Sequence, residues 1–172
     1  MIYRTRTYIA GDWTGDQDLI NQLYKWNDSD HWALSFTDAH ELTQSSDNSL
    51  PCSIKRSLAT RLDASKTFVL IVGEHTNKLT KGSCQYCRQY SSYYGRCNAG
   101  MHVDYRSFIQ YECEKASRDG LRIVVLYNST IIEKSKCPEV LRFTAFHVAA
   151  KYWRTDGRLD WNYQDIKKAI MG

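Results

Sequence analysis

One carboxylate in this sequence sits where a carboxylate is costly. At about 100° per residue, a helix running from Tyr105 to Arg118 gathers Phe108, Tyr105, Ile109, Ala116 and Cys113 on one apolar arc, and Glu112 falls inside it. Glu114 falls on the opposite, solvent side. A glutamate in that arc must be paired, protonated or turned toward a cleft, because burying a lone charge is expensive. A carboxylate facing a cleft in partly apolar surroundings is a candidate for chemistry. The structural alternative is a glutamate bonded to a backbone group or to an arginine.

A second constellation is Cys84-x2-Cys87-x9-Cys97-x4-His102. Three thiolates and an imidazole form a tetrahedral zinc site when they converge. The first half is a good chelating unit; the spacing of the second half fits no familiar zinc finger. The same stretch carries Tyr86, Tyr90, Tyr93, Tyr94 and Gly95, so free thiols in a loop packed by its tyrosines are the alternative. A loop of this length, 74–104, is uncommon unless it is functional or pinned, and metal is one way to pin it.

The elements that must position these groups alternate in type. Tyr8-Ile9-Ala10 ends a first strand, and Leu19, Ile20, Leu23 and Tyr24 follow at helical spacing. Ala33-Leu34-Ser35-Phe36 reads as a second strand. A polar loop over residues 40–51 leads to a helix with Ile54, Leu58 and Leu62 on one stripe and Ser53 as its expected cap. Thr67 to Gly73 is apolar almost throughout, as in a parallel strand buried on both faces. After the long loop and the Tyr105–Arg118 helix, Gly120 is the expected stop. Leu121–Tyr127 is a fourth strand, Phe143–Tyr152 holds a fifth, and Asn162–Met171 is a closing helix.

This alternation predicts βαβ units and an α/β, flavodoxin-like, doubly wound parallel sheet of about five strands in the order 2-1-3-4-5. Such sheets bind ligands at the carboxyl ends of their strands. Those ends here are polar: Ala10, Gly11 and Asp12 after the first strand, Asp38 after the second, Thr76 after the third, and Asn128 to Thr130 after the fourth. Gly11 permits close backbone approach. Asp12 serves equally as a nucleotide contact or as a helix cap. Trp13 either stacks on a base or covers the core edge. His75 stands at a strand end; His31, His40 and His147 show no recognisable spacing, and Cys113 reads as core filler.

Composition narrows the field further. The 172 residues carry a net charge of +4, mildly basic and scattered, which disfavours a nucleic-acid partner. The two prolines form no linker, so one domain spanning 1–172 is expected. No apolar run approaches the ~20 residues of a membrane helix. The start, MIYRTRTYIAG, lacks a signal peptide's apolar core and reads as a strand, which predicts a cytoplasmic protein whose six cysteines are thiols or metal ligands.

Ser107-Phe108-Ile109-Gln110-Tyr111-Glu112-Cys113, then Ala116, then Gly120 to Val125, resembles the third-helix region of TIR (Toll/interleukin-1 receptor) domains. TYIAGDWTGD near the start and SIKRSLATRLDASKTFVLIVGEHT resemble the bacterial TIR-like branch that includes the Thoeris antiphage defence protein. The resemblance spans nearly the whole chain, with loop 74–104 as an insertion. It implies that Glu112 is catalytic and that NAD⁺ is the substrate, hydrolysed, cyclised or used for ADP-ribosyl transfer. It also implies a nucleotide product acting on a downstream effector, and a homo-oligomer. The dinucleotide fingerprint G-x-G-x-x-G is absent, but TIR enzymes do not use it. Ala10, Gly11, Asp12, Asp38 and Thr76 are the expected substrate contacts. Two rivals share the fold. A phosphoacceptor receiver domain needs an aspartate where this chain has Gly73-Glu74. A non-catalytic TIR-like adaptor, acting by homotypic assembly, would keep Glu112 as a structural residue.

Overall fold

The computed structural model describes residues 4–38 and 49–172. Strand β1 (Arg6–Ala10), helix α1 (Gln17–Asn27), helix α2 (Pro51–Asp63) and strand β2 (Ser65–Val72) come first. Two short strands, β3 (Tyr90–Ser91) and β4 (Arg96–Cys97), lie in the insertion. Helix α3 (Phe108–Arg118), strands β5 (Arg122–Tyr127), β6 (Phe146–Ala149), β7 (Lys151–Trp153) and β8 (Leu159–Trp161), and helix α4 (Tyr163–Met171) complete the chain.

The main sheet has the order β1-β2-β5-β6, and every neighbouring pair is parallel. Its register aligns Tyr8 with Phe68 and Phe68 with Ile123. Side chains therefore alternate between two faces. Tyr8, Ala10, Phe68, Leu70, Ile123 and Val125 point toward α2 and α3 and share a core with Leu58, Leu62, Ile109 and Cys113. Ile9, Val69, Ile71, Val124 and Leu126 point the other way and pack with Leu19, Leu23, Ile166 and Ile170 of α1 and α4. The sheet is thus covered on both sides, and the doubly wound architecture expected from the apolar runs is present.

The expected second strand is not a strand. Residues 33–37 make no ladder, and the edge position is marked only by an isolated parallel bridge between Thr7 and Asp38. Ser35 adopts φ +53°, which breaks an extended run, and the Phe36 N–H donates to Asn27 Oδ1 at 2.8 Å rather than to a neighbouring strand. The bridge lies on the open side of β1, so the 2-1-3-4-5 order survives with a vestigial first member. Most of the polar loop at 40–51, with His40, lies outside the described residues.

Other boundaries moved for local reasons. Helix α2 begins with Pro51 at its first position after Leu50, so Ser53 lies inside the first turn and is not the cap. Helix α3 begins at Phe108 rather than Tyr105, because Ser107 and Gln110 form a reciprocal capping box that fixes the start. The fifth strand is short. The chain after it turns into an antiparallel hairpin, β7–β8, around the Asp156-Gly157 turn, with Gly157 at φ +77°. No helix among the described residues is long and apolar enough to cross a membrane.

The insertion is anchored at its base. Its ends meet through Cys84 N–H to Asp104 O (2.9 Å) and Phe108 N–H to Lys81 O (2.8 Å). The buried Lys55 ammonium on α2 donates to the carbonyls of Arg106 (2.7 Å) and Asp104 (3.3 Å) and pairs with the Asp104 carboxylate at 3.3 Å. Arg106 clasps the same carboxylate at 2.9 Å and reaches Glu114 at 2.7 Å.

Candidate active site around Glu112

Glu112 is 4% exposed. The capping box sets the rotation of α3, and that rotation turns Glu112 inward beside Ile109, Cys113 and Ala116. There its Oε1 accepts a hydrogen bond from the hydroxyl of Tyr8, in the middle of β1. Burial pushes the carboxyl up to about 7; the Tyr8 hydroxyl and the positive charge of Arg61 on α2 hold it back from going further. The group therefore stands near its own titration point at neutral pH. Tyr8 itself is raised well above the usual phenol range, by burial first and then by the negative charge of Glu112.

Asp38 lies at the edge bridge beside β1. It is 4% exposed and accepts a hydrogen bond from the Tyr24 hydroxyl on α1. Its charge, like those of Glu112 and Arg61, acts on the Tyr8 phenol. The structure thus brings the Tyr8 phenol and the Arg61 charge to Glu112 where β1, α2 and α3 meet, while Asp38 and Tyr24 form a second bonded pair at the edge bridge of β1. Desolvation makes the two acids respond strongly to any positive charge brought near them.

The other expected contacts are built differently. Ala10 ends β1 in the core. A Cβ on Gly11 would stand 3.0 Å from the Ile71 side chain, so the glycine admits the neighbouring strand closely. Asp12 is not a helix cap; that position belongs to Asp16. The Asp12 side chain accepts from the Thr14 N–H at 3.1 Å, which shapes the turn after β1. Thr76 is buried, and its hydroxyl accepts from the Gly73 N–H at 2.8 Å, which closes the end of β2. Trp13 packs against Tyr24 at the edge of the second core, and Cys113 is fully buried as core filler. His75 is exposed.

Three participants were missed by the sequence reading of the site. Tyr8 reads from the sequence only as a strand residue, because nothing in alternation distinguishes a phenol that packs from one that bonds. Arg61 was legible: it lies two turns after Ile54, so it falls on the apolar stripe of α2 as Glu112 falls on that of α3. Asp16 was hidden in the turn before α1. It is buried, held by Asn128 Nδ2 at 3.0 Å, and raised by desolvation, and Asn128 also binds Asp18 at 2.8 Å. Lys151 closes that network on Asp18 at 2.8 Å.

The cysteine–histidine constellation does not converge. Cys84 is buried and its sulfur accepts from the Asp104 N–H (3.3 Å); the Cys87 sulfur accepts from the Gln89 N–H (3.5 Å). Cys97 lies in β4 and His102 is exposed. Among the described residues no group of three or more His, Cys, Asp or Glu side chains is placed to hold a metal ion, so these four do not fit zinc in this arrangement. The loop is pinned instead by the β3–β4 pair and the Lys55–Asp104–Arg106 anchor.

Residues 8–81 match the family model described as Thoeris protein ThsB, TIR-like domain. The resemblance drawn from the sequence is therefore shown over β1, α1, α2 and β2; the match ends before α3, so Glu112 lies outside it. No curated protein matches the chain.

Proposed function

We propose that this TIR-like chain, read as one domain over 1–172, cleaves NAD⁺ between nicotinamide and ribose. Glu112 is the catalytic carboxylate, and the nucleotide product serves as a signal in antiphage defence. The observation that carries the reading is Glu112 itself: a buried acid poised near neutrality on α3, in a chain whose first half matches the Thoeris TIR-like model.

The chemistry asks little of the protein. The nicotinamide of NAD⁺ is already cationic, so the bond electrons leave with it and no general acid is needed. Positive charge appears on the ribose as an oxocarbenium ion. A carboxylate in a desolvated setting stabilises that charge far more than it would in water. Water then adds to the ribose carbon and loses a proton, giving ADP-ribose; attack by a group of the same or another molecule would give a cyclic or conjugated product. Tyr8 keeps Glu112 oriented, and substrate entry requires that the cover over the pair give way. Gly11, Asp12 and Asp38 form the rim that the nucleotide contacts, with Ala10 and Thr76 supporting it from within. The active form is a homo-oligomer, as the resemblance implies, and its product acts on a separate effector. Nucleic acid and membrane form no part of this reading, since the net charge of +4 is mild and scattered.

The test is nicotinamide release from NAD⁺ at high protein concentration, wild type against Glu112→Gln. Release by wild type, with a loss of about a hundredfold or more in the variant, is expected. Release that survives the change would discard Glu112 as the site.

One observation favours a second reading. The Glu112 carboxylate is covered and already bonded to Tyr8, as a structural glutamate in a non-catalytic adaptor would be. Absence of release from wild type, also in lysate of phage-infected cells, selects that reading.

A further inference from the structure

On the opposite side of the sheet from Glu112 lies a cleft of about 820 Å³, between the last turns of α1, the β7–β8 hairpin and the start of α4. Its size falls within the roughly 300–1,000 Å³ of small-molecule sites. Five aromatic side chains line it: Trp26, Trp32, Tyr152, Trp161 and Tyr163.

The rings hold one another in place. Trp26 stands edge-on to Trp161 (6.3 Å between ring centres) and to Tyr163 (5.1 Å), and Trp32 stands edge-on to Tyr163 at 4.8 Å. The Tyr163 hydroxyl donates to the Trp32 carbonyl and ties the wall to the backbone. Two of these rings already receive cations from the protein itself. The Lys151 ammonium lies 4.8 Å from the centre of the Trp161 ring, and that of Lys167 lies 5.7 Å from the Tyr163 ring. Both are within the ~6 Å over which a ring face attracts a cation. Trp32 and Tyr152 are 44% exposed each, and among the described residues no cation stands over either.

The charge of the lining is negative. It holds two carboxylates, Asp160 and Asp165, against one ammonium, Lys25. Asp165 accepts from the neutral amide of Asn162 at 2.9 Å. Asp160 accepts from the Trp161 N–H at 2.8 Å, and it shares the half-exposed Arg154 (3.6 Å) with Asp156 (3.5 Å). Lys151 is paired with Asp18 at 2.8 Å. Open aromatic faces beside an excess of carboxylate select a cation. A bare divalent ion does not suit them, because it takes about six oxygen ligands or more. An ammonium whose nitrogen carries alkyl groups loses its hydration easily and presents its methyl surface to the rings.

We infer that this cleft binds a small organic cation, an alkylated ammonium, held against Trp32 and Tyr152 with Asp160 and Asp165 as its countercharge. Lys25 opposes the ligand and sets how tightly it is held. The inference does not rest on NAD⁺ cleavage at Glu112.

The test is equilibrium dialysis of the full chain with labelled choline. The competitor is choline's uncharged isostere, in which carbon replaces the nitrogen. Wild type is compared with Trp32→Ala, Asp165→Asn, Lys25→Gln and Glu112→Gln, each checked by thermal melting. Trp32→Ala keeps the carbonyl that Tyr163 uses, and Asp165→Asn and Lys25→Gln alter exposed side chains should the tryptophan variant fail to fold. Saturable binding is expected in wild type and in Glu112→Gln, weakened about tenfold in Trp32→Ala, weakened in Asp165→Asn and strengthened in Lys25→Gln. The uncharged isostere should compete about tenfold more weakly than unlabelled choline. No saturable binding at millimolar choline, equal competition by the isostere, unchanged affinity in the folded Trp32 and Asp165 variants, weaker binding in Lys25→Gln, or loss in Glu112→Gln would each overturn the inference.

Discussion

Tyr8 and Glu112 lie 104 positions apart, yet the phenol of β1 donates its hydrogen to the carboxylate of α3 in the interior of the protein. Neither is comfortable alone: burial raises both groups, and each supplies the contact that the other lacks. The pair fixes α3 against the sheet at the same point where the proposed chemistry takes place.

Removing the phenol hydrogen exposes this dependence. Tyr8→Phe keeps the ring packed on Phe68 and leaves the buried carboxyl without its donor. We expect a loss of about 1–3 kcal/mol in denaturant unfolding. The Glu112 carboxyl should titrate higher still, because the Tyr8 bond is one of the two influences lowering it. An unchanged midpoint and an unchanged titration would remove the bond from the account.

Stability should fall with rising pH through the range set by Glu112. The folded value of about 7 lies above the ordinary 4.5, so the folded state holds a proton that the unfolded chain gives up. That contribution is complete below about 4.5 and is lost as pH rises toward 7. It amounts to roughly 3 kcal/mol at most. Wild type and Glu112→Gln, unfolded in denaturant from pH 4.5 to 8, should converge at one end of the range and part at the other. Parallel curves would contradict the burial argument.

The end of β2 has no room for a methyl group. A Cβ on Gly73 would stand 2.2 Å from Asp16 Oδ1, and Asp16 is itself held by Asn128. Gly73→Ala must push a buried carboxylate off its partner, and we expect about 1–3 kcal/mol of destabilisation. Gly120→Ala is the contrast: it meets no crowding, only the cost of φ +68°. Thermal melting of the two separates collision from backbone strain.

Lys55 holds the insertion to the body of the protein. Lys55→Met removes the ammonium from two carbonyls and from Asp104, whose carboxyl is held down to about 2, against the pull of burial, by Arg106 and Lys55. Limited proteolysis should then cut within 86–100 faster than in wild type while α3 persists by circular dichroism. Equal cutting rates would assign the anchoring to Arg106 alone.

Much of this was legible in the sequence, for reasons that differ by element. Phe68–Val72 and Ile123–Tyr127 are apolar runs without interruption, and a parallel sheet covered on both faces needs them to be so. Glu112 was legible because a charge inside an apolar arc is improbable without a purpose. Residues 33–36 alternate like a strand and are none, because Asn27 captures the Phe36 N–H and Ser35 turns the chain, neither of which periodicity can register. The β7–β8 hairpin is signalled by Asp156-Gly157 between aromatic-rich arms, a turn that the search for helix and strand periods does not register. The cysteine spacing suggests a metal because spacing says nothing about convergence, and among the described residues these side chains form no group placed to hold one.

The insertion leaves the body and returns to almost the same place, with Cys84 bonded to Asp104 and Lys81 to Phe108. Closing a longer or shorter excursion between two such fixed points changes the free energy only slowly with length. The segment between them is therefore a cassette, whose length can vary at little entropic cost to the sheet and to the helix that carries Glu112.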